Sequence, residues 1–201
     1  MTCTRQESTI LLVRHAHTDM AGQFCGQSNP DLSELGQKQL GEIIRQVSKW
    51  PFTAVYSSGL IRARRTAEAL ASSRGLEVHL RSGLGEIDFG DWEAKSWTEV
   101  EAANRDEATR WLAEYPRRPA PNGELLGEFE ERVTKEFRFC TNAARNTCVV
   151  AVTHAGFIRM AVGSILGISF ETCWKLSLEC GSITEFKDSK KGWEVKPLPG
   201  A

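Results

Sequence analysis

The chain has 201 residues, 41% of them hydrophobic and 25% charged, the make-up of one globular domain with enough apolar material for a sizeable core. Its 25 Lys and Arg against 26 Asp and Glu leave a formal net charge of -1, which excludes the broad basic footprint that nucleic acid or an anionic membrane surface demands. No stretch approaches the run of about 18 apolar residues of a membrane span, Met1 to Ser8 is polar with no export signal, and the cysteines are scattered without a C-x-x-C pair; reduced thiols and a cytoplasmic location are expected.

In chain order, Ile10 to Val13 is the first of three short runs rich in β-branched residues, followed by Thr53 to Tyr56 and Val149 to Thr153. Each is too short for a helix and too evenly apolar for a strand with one wet face, so the pattern predicts buried parallel strands. After the first, Leu40, Ile43, Ile44 and Val47 share one helical face, with Ser33 placed as N-cap and Pro51 just past the end. After the second, Leu60, Ala63, Ala67 and Leu70 predict a helix over Ser58 to Ser73. Residues 89–122 are rich in Trp, charge and proline with broken periodicity, which predicts an inserted cap. Leu126, Phe129, Val133, Phe137, Cys140 and Ala144 predict a helix leading into the third strand. Ser182 to Lys187 and Gly192 to Lys196, about a Lys-Lys-Gly turn, predict an antiparallel hairpin at a sheet edge. The expected fold is α/β: one domain over residues 1–201, a three-layer α/β/α sandwich with a mostly parallel central sheet, an antiparallel edge strand and a small cap insertion at about 89–122.

Ligands of an open parallel sheet bind beyond the carboxyl ends of the strands. The first strand ends in Arg14-His15, the third in Thr153-His154, and the second in Ser57-Ser58 with Arg62 one helical turn on. A guanidinium offers a planar fork of donors matched to phosphate oxygens, so paired arginines at one rim suggest a phosphoryl group, and the helix beginning near Ser58 is expected to turn its N–H groups toward the same anion. Singly, a histidine at a strand end is more often structural, and Arg62 within Arg62-Ala63-Arg64-Arg65 looks like one member of a solvated helix face. Independent strand ends rarely all finish in phosphate-competent side chains by chance, and together they favour the functional reading.

Five segments carry a family resemblance: Leu12-Val13-Arg14-His15-Ala16-His17-Thr18, Ser57-Ser58-Gly59-Leu60-Ile61-Arg62-Ala63, Glu86-Ile87-Asp88-Phe89-Gly90-Asp91-Trp92-Glu93, Asn122-Gly123-Glu124 and Val152-Thr153-His154-Ala155-Gly156-Phe157-Ile158-Arg159. In this order they resemble the histidine phosphatase superfamily, which includes phosphoglycerate mutases and α-ribazole phosphatases; Met20 to Gly26 looks like the α-ribazole phosphatase branch. The resemblance implies that His15 is the phosphoryl acceptor, that Arg14, Arg62 and His154 form the phosphate pocket, and that Glu86 is the proton donor. Thr18 and Ala155 are placed as further substrate contacts, although Thr18 equally suits a loop-capping role. From the residues alone Glu86 is not distinguished from Asp88, Asp91 and Glu93, which in such a stretch are usually surface carboxylates. Gly26 and Gly36 read as backbone turns. The sequence departs from the family at Ala16, Ala21, Ala155 and Leu125, which bears on substrate choice more than on the chemistry.

The reading implied is a phosphomonoester hydrolase for a small phosphorylated metabolite, with α-ribazole 5'-phosphate as one candidate, no cofactor, no metal, and neither nucleic acid nor membrane as partner; a homodimer is left open. A phosphoglycerate mutase-type phosphotransferase is the alternative within the family, and the compact chain favours the hydrolase. The rival from another class is a metal-dependent hydrolase on His15-x-His17-x-Asp19, which Arg14 disfavours by placing a cation beside the site. Neither glycine-rich nucleotide fingerprint comes after the first strand.

Overall fold

The computed structural model describes residues 7–189 and 192–198. Six strands, β1 (Thr9–Arg14), β2 (Phe52–Ser57), β3 (Val78–Leu80), β4 (Cys148–Thr153), β5 (Ile183–Ser189) and β6 (Gly192–Leu198), form one sheet in the order β3-β2-β4-β1-β5-β6. β1, β2, β3 and β4 run parallel, while β5 lies antiparallel to β1 and β6 antiparallel to β5 at the edge. The helices are α1 (Glu34–Val47), α2 (Ile61–Ser72), α3 (Trp97–Ala103), α4 (Arg105–Glu114), α5 (Leu126–Ala143), α6 (Ala155–Leu166) and the single turn α7 (Phe170–Cys173).

Successive side chains of a strand point to opposite faces, and β1 is apolar on both. Ile10 and Leu12 pack with Phe129, Val133 and Phe137 of α5 and Phe157 and Ile158 of α6. Leu11 and Val13 pack with Ile43 and Val47 of α1 and Ala63, Ala67 and Leu70 of α2. The result is the expected three-layer sandwich, and each such aliphatic side chain fully buried contributes about 1.5–3 kcal/mol. Residues 89–122 hold α3 and α4, whose Val100, Ala108 and Trp111 pack with Trp92 and Ala120 in a cluster apart from the two sheet layers. Ser96 and Asn104 cap these two helices, Ser96 in a reciprocal pair with Glu99.

α1 begins where Ser33 predicts, its hydroxyl accepting from the Gly36 N–H. α2 does not begin at Ser58 but at Ile61. Ser58 stays outside because its N–H donates to Val152 O at 3.2 Å and its hydroxyl meets His154, tertiary bonds that override the helical pattern. β2 is also wetter than a buried strand, with Thr53 exposed. The strand β3 and the helix α6 carry no expected signal: β3 is three residues long with His79 and Leu80 exposed, and α6 is buried nearly all round in its first two turns, so it lacks an amphipathic stripe. The turn expected at Lys190-Lys191, the polar start Met1 to Gln6 and Cys3 lie outside the described residues. Among the described residues Cys25, Cys140, Cys148, Cys173 and Cys180 are free thiols, and no helix is long and apolar enough to cross a membrane.

Candidate active site

β1 and β4 are adjacent and in register, Arg14 opposite Thr153, so the residues that come after them emerge side by side. The His15 and His154 rings lie 5.1 Å apart between centroids, tilted by 55°, and the His15 N–H donates to Thr153 O at 3.0 Å. β2 lies on the other side of β4, pairing Ser57 with Val152, and the next hydroxyl, Ser58 Oγ, sits 2.8 Å from His154 Nε2. The first turn of α2 then returns Arg62, whose Nε lies 3.3 Å from His15 Nε2. The loop after β1 is tied to α2 as well, with the Ala16 N–H donating to Thr66 Oγ1 at 3.1 Å.

His15 Nδ1 lies 2.7 Å from the Ala16 carbonyl oxygen. A carbonyl can only accept, so Nδ1 carries the proton and Nε2 keeps a lone pair toward Arg62. Burial, then the charges of Arg62 and Arg14, hold the pKa of His15 well below 6.5. The ring is therefore a neutral imidazole whose unprotonated Nε2 accepts from Arg62 Nε, and once that lone pair turns to a bound phosphoryl group it is the form competent to attack phosphorus. His154 is likewise held well below 6.5, by burial and then by His15, Arg62 and Arg14.

Arg62 is wholly buried. Its Nη1 donates to Ser28 O at 2.6 Å, and its Nη2 to Cys25 O at 3.0 Å and Gly26 O at 2.9 Å. Among the described residues it has no carboxylate within ion-pair distance. The loop that seats it is shaped by Glu93. That carboxylate accepts from the N–H groups of Gly26 (3.1 Å), Gln27 (2.9 Å), Ser28 (2.8 Å) and Phe89 (3.0 Å) and from the Ser28 hydroxyl (2.5 Å). Burial pushes the Glu93 pKa up, but hydrogen bonds from Ser28, Gln27 and Phe89 outweigh it and hold the group below its ordinary value. Gly26 is obligatory here for space, since a Cβ would stand 2.0 Å from Ile87 O.

Two polar atoms at the rim are buried with no partner among the described residues, Arg14 Nε and His154 Nδ1. An orphaned buried donor or acceptor costs about 1–3 kcal/mol, and a ligand that meets it removes the cost. Arg14 Nη1 is fixed by Leu178 O. Glu86 approaches from the α6 side. Its Oε1 accepts from the Ile87 N–H and its Oε2 from the Gly156 N–H in the first turn of α6, both at 3.0 Å. Gly156 makes this approach feasible, because a Cβ there would stand 2.2 Å from Glu86 Oε1.

Of the residues predicted from sequence, the structure brings Arg14, His15, Arg62 and His154 together, with Glu86 adjoining through α6. Ala155 is the buried first residue of α6, and Thr18 is buried in the turn after β1, its carbonyl accepting from the Ala21 N–H. The predicted helix N-terminus facing an anion is not formed at Ser58, and the Ile61 N–H is taken by Asn29 Oδ1 at 2.6 Å. His17 does not join His15 in a ligand cluster: its Nδ1 pairs with Ser33 Oγ at 2.8 Å, and among the described residues no three His, Cys, Asp or Glu converge as metal ligands. Glu93 is not separable from its neighbours in sequence, because its role depends on the 26–28 loop, remote in the chain.

A neutral histidine set among two arginines and a second histidine, at the carboxyl ends of parallel strands, belongs to the class of enzymes that move phosphoryl groups on an α/β sheet. Residues 10–198 match the sequence profile of the histidine phosphatase superfamily, branch 1, and the chain belongs to that family. It is 30% identical over 177 residues to phosphoserine phosphatase 1 of Hydrogenobacter thermophilus, covering 87% of this chain and 84% of that one. To the adenosylcobalamin/α-ribazole phosphatase of Salmonella typhimurium it is 27% identical over 180 residues, 86% of each chain. The crystal structure of the α-ribazole phosphatase from Shigella flexneri superposes with a TM-score of 0.86 at 23% identity, over 94% of this chain and 95% of that one, and shares its fold.

Proposed function

We propose that the protein hydrolyses a small phosphomonoester through a phosphohistidine on His15. The observation that carries this reading is the His15 ring itself: buried and neutral, its proton held on Nδ1 by the Ala16 carbonyl, its Nε2 lone pair facing Arg62. In the first step Nε2 forms a bond to phosphorus as the ester P–O bond breaks, and Glu86 delivers a proton to the departing alkoxide. In the second, water attacks the phosphohistidine, its proton passes to Glu86, the P–N bond breaks, and inorganic phosphate leaves. Arg14, Arg62 and His154 stabilise the equatorial oxygens in both steps, the unpartnered Arg14 Nε and His154 Nδ1 supplying contacts the phosphate completes. Burial and then the charges of His15, Arg62 and Arg14 hold His154 neutral; an arriving dianion offsets those charges, so His154 takes up a proton as phosphate binds. Thr18 and Ala155 are the further residues assigned to substrate contact in this reading.

Release to water rather than transfer back to product is favoured by relatives named as phosphatases. Those names span leaving groups from a hydroxy amino acid to a nucleoside-like alcohol, and α-ribazole 5'-phosphate is a candidate among them. The test is turnover of p-nitrophenyl phosphate in strong chelator, with acid-labile phosphate trapped on the protein. His15→Ala is expected to remove both, and near wild-type turnover by that variant would overturn the mechanism. Glu86→Gln is expected to slow alkyl phosphates more than the aryl ester, whose leaving group needs no proton; equal losses would move the acid role elsewhere.

A further inference from the structure

Beside the phosphate pocket a third buried polar atom has no partner among the described residues, the hydroxyl of Tyr115. Tyr115 sits between two indoles, 4.3 Å from the Trp111 ring and 4.7 Å from the Trp174 ring between centroids. The guanidinium carbon of Arg159 lies 4.6 Å from the centroid of that same Trp174. Tyr115 and Arg159 therefore flank one aromatic, and the charges that act on Tyr115 are Glu86 and Arg159. Burial pushes the phenol pKa up, so the hydroxyl is a donor at any physiological pH.

Arg159 is half-buried, and its Nε and Nη2 both donate to Leu176 O, at 3.2 Å and 3.0 Å. A guanidinium has five N–H groups, so this carbonyl occupies one edge of the fork and leaves the Nη1/Nη2 edge open. Among the described residues no carboxylate lies within ion-pair distance of it, whereas the cap arginines Arg110, Arg117 and Arg118 all have acidic neighbours. A partly desolvated cation that feels Glu86 but has no carboxylate in ion-pair contact, close to an orphaned donor, is a site for an anion.

We propose that the Tyr115 hydroxyl and the open edge of Arg159 form a second binding site that takes a carboxylate on the alcohol leaving group of the substrate. The inference rests on the hydrolase reading above and narrows its substrate class to phosphorylated hydroxy acids. One guanidinium edge and one hydroxyl match the two oxygens and single charge of a carboxylate; a second phosphoryl group would bring three oxygens and twice the charge to the same few donors. A leaving group without an anion would leave both groups desolvated and unpaired. The site adjoins Glu86, the group that must reach the ester oxygen, so a carboxylate held there also fixes the leaving group against its proton donor.

Two substrate pairs that differ at this position test the inference: O-phosphoserine against O-phosphoethanolamine, and 3-phosphoglycerate against glycerol 3-phosphate. The wild type is expected to favour the carboxylate member of at least one pair by about 30-fold in kcat/KM, the worth of one charge-assisted contact made to a buried site. Arg159→Gln is expected to cut that preference about tenfold and Tyr115→Phe about threefold, with Arg159→Lys, which keeps the charge and loses the fork, in between. A structural defect would lower both members of a pair alike and leave the ratio fixed, so an unchanged ratio in Arg159→Gln overturns the proposal. So does the absence of any preference in a wild type that turns over p-nitrophenyl phosphate. If that ester is not turned over and no phosphohistidine forms, the hydrolase reading itself falls and takes the subsite with it.

Discussion

In the proposed mechanism Glu93 acts through Arg62, and the size of its effect can be worked from its contacts. Glu93→Gln keeps the shape and replaces one acceptor oxygen by a donor. If the amide nitrogen takes the Oε1 position, it faces the N–H groups of Gln27 and Phe89; if it takes the Oε2 position, it faces the Ser28 N–H, while the Ser28 hydroxyl can turn to accept. The second orientation is the less costly and still strands one backbone donor and removes the charge the others share, about 2 kcal/mol for a bond to a charged acceptor. That free energy is what holds residues 26–28, and with them the carbonyls of Gly26 and Ser28 that seat the Arg62 guanidinium. The variant is expected to lose about 10–30-fold in kcat/KM for p-nitrophenyl phosphate, with inhibition by inorganic phosphate weakened in parallel, and to melt about 4–8 °C lower. Steady-state rates with phosphate titrations, set beside a thermal melt, read all three. A lowered melting temperature with unchanged kcat/KM and phosphate inhibition would show that the loop does not govern Arg62, and would refute the reasoning.

Two more outcomes are expected of the site. His15 and His154 titrate well below 6.5 in the fold, so as pH falls through about 6.5 the unfolded chain takes up protons that the folded one does not; stability is whole above that pH and declines below it, by up to about 1.4 kcal/mol per pH unit per histidine. Thermal melts from about pH 8 to about pH 5 should show this fall, with a shallower slope in His154→Gln; an identical slope would exclude His154 from the effect. Gly156→Ala drives a methyl against Glu86 Oε1 and is expected to lower turnover of alkyl phosphates by tenfold or more while sparing p-nitrophenyl phosphate relatively; equal rates on both substrates would mean the carboxylate moves aside at no cost.

The central strands are legible in the sequence because β-branched runs that are apolar on both faces leave few other structures open to them. The site is legible because ligands of a parallel sheet gather at the carboxyl end of each strand, and Arg14, His15, Ser58 and His154 stand there. α6 is not, since a helix buried all round has no periodic stripe to read, and β3 is too short to distinguish from a loop. The start of α2 departs from its helical pattern because Ser58 is claimed by Val152 and His154, bonds between segments far apart in the chain. Glu93, Tyr115 and Arg159 share this difficulty: each owes its role to a neighbour made by folding, the 26–28 loop for the first and Trp174 for the other two.

The order β3-β2-β4-β1-β5-β6 sets the two histidines on the innermost pair of strands, while the Arg62 seat depends on Glu93, next to a Trp-rich cluster apart from the sheet layers. In amide exchange these are two different clocks. The backbone of β1 and β4 is expected to exchange only with loss of the whole sheet, and residues 26–28 and 89–120, packed about a separate cluster, to open as a smaller unit at lower free energy. A molecule caught in that smaller opening keeps His15 in place and loses the seat of Arg62, so under the proposed mechanism inactivation by mild stress should precede unfolding and reverse when the stress is lifted.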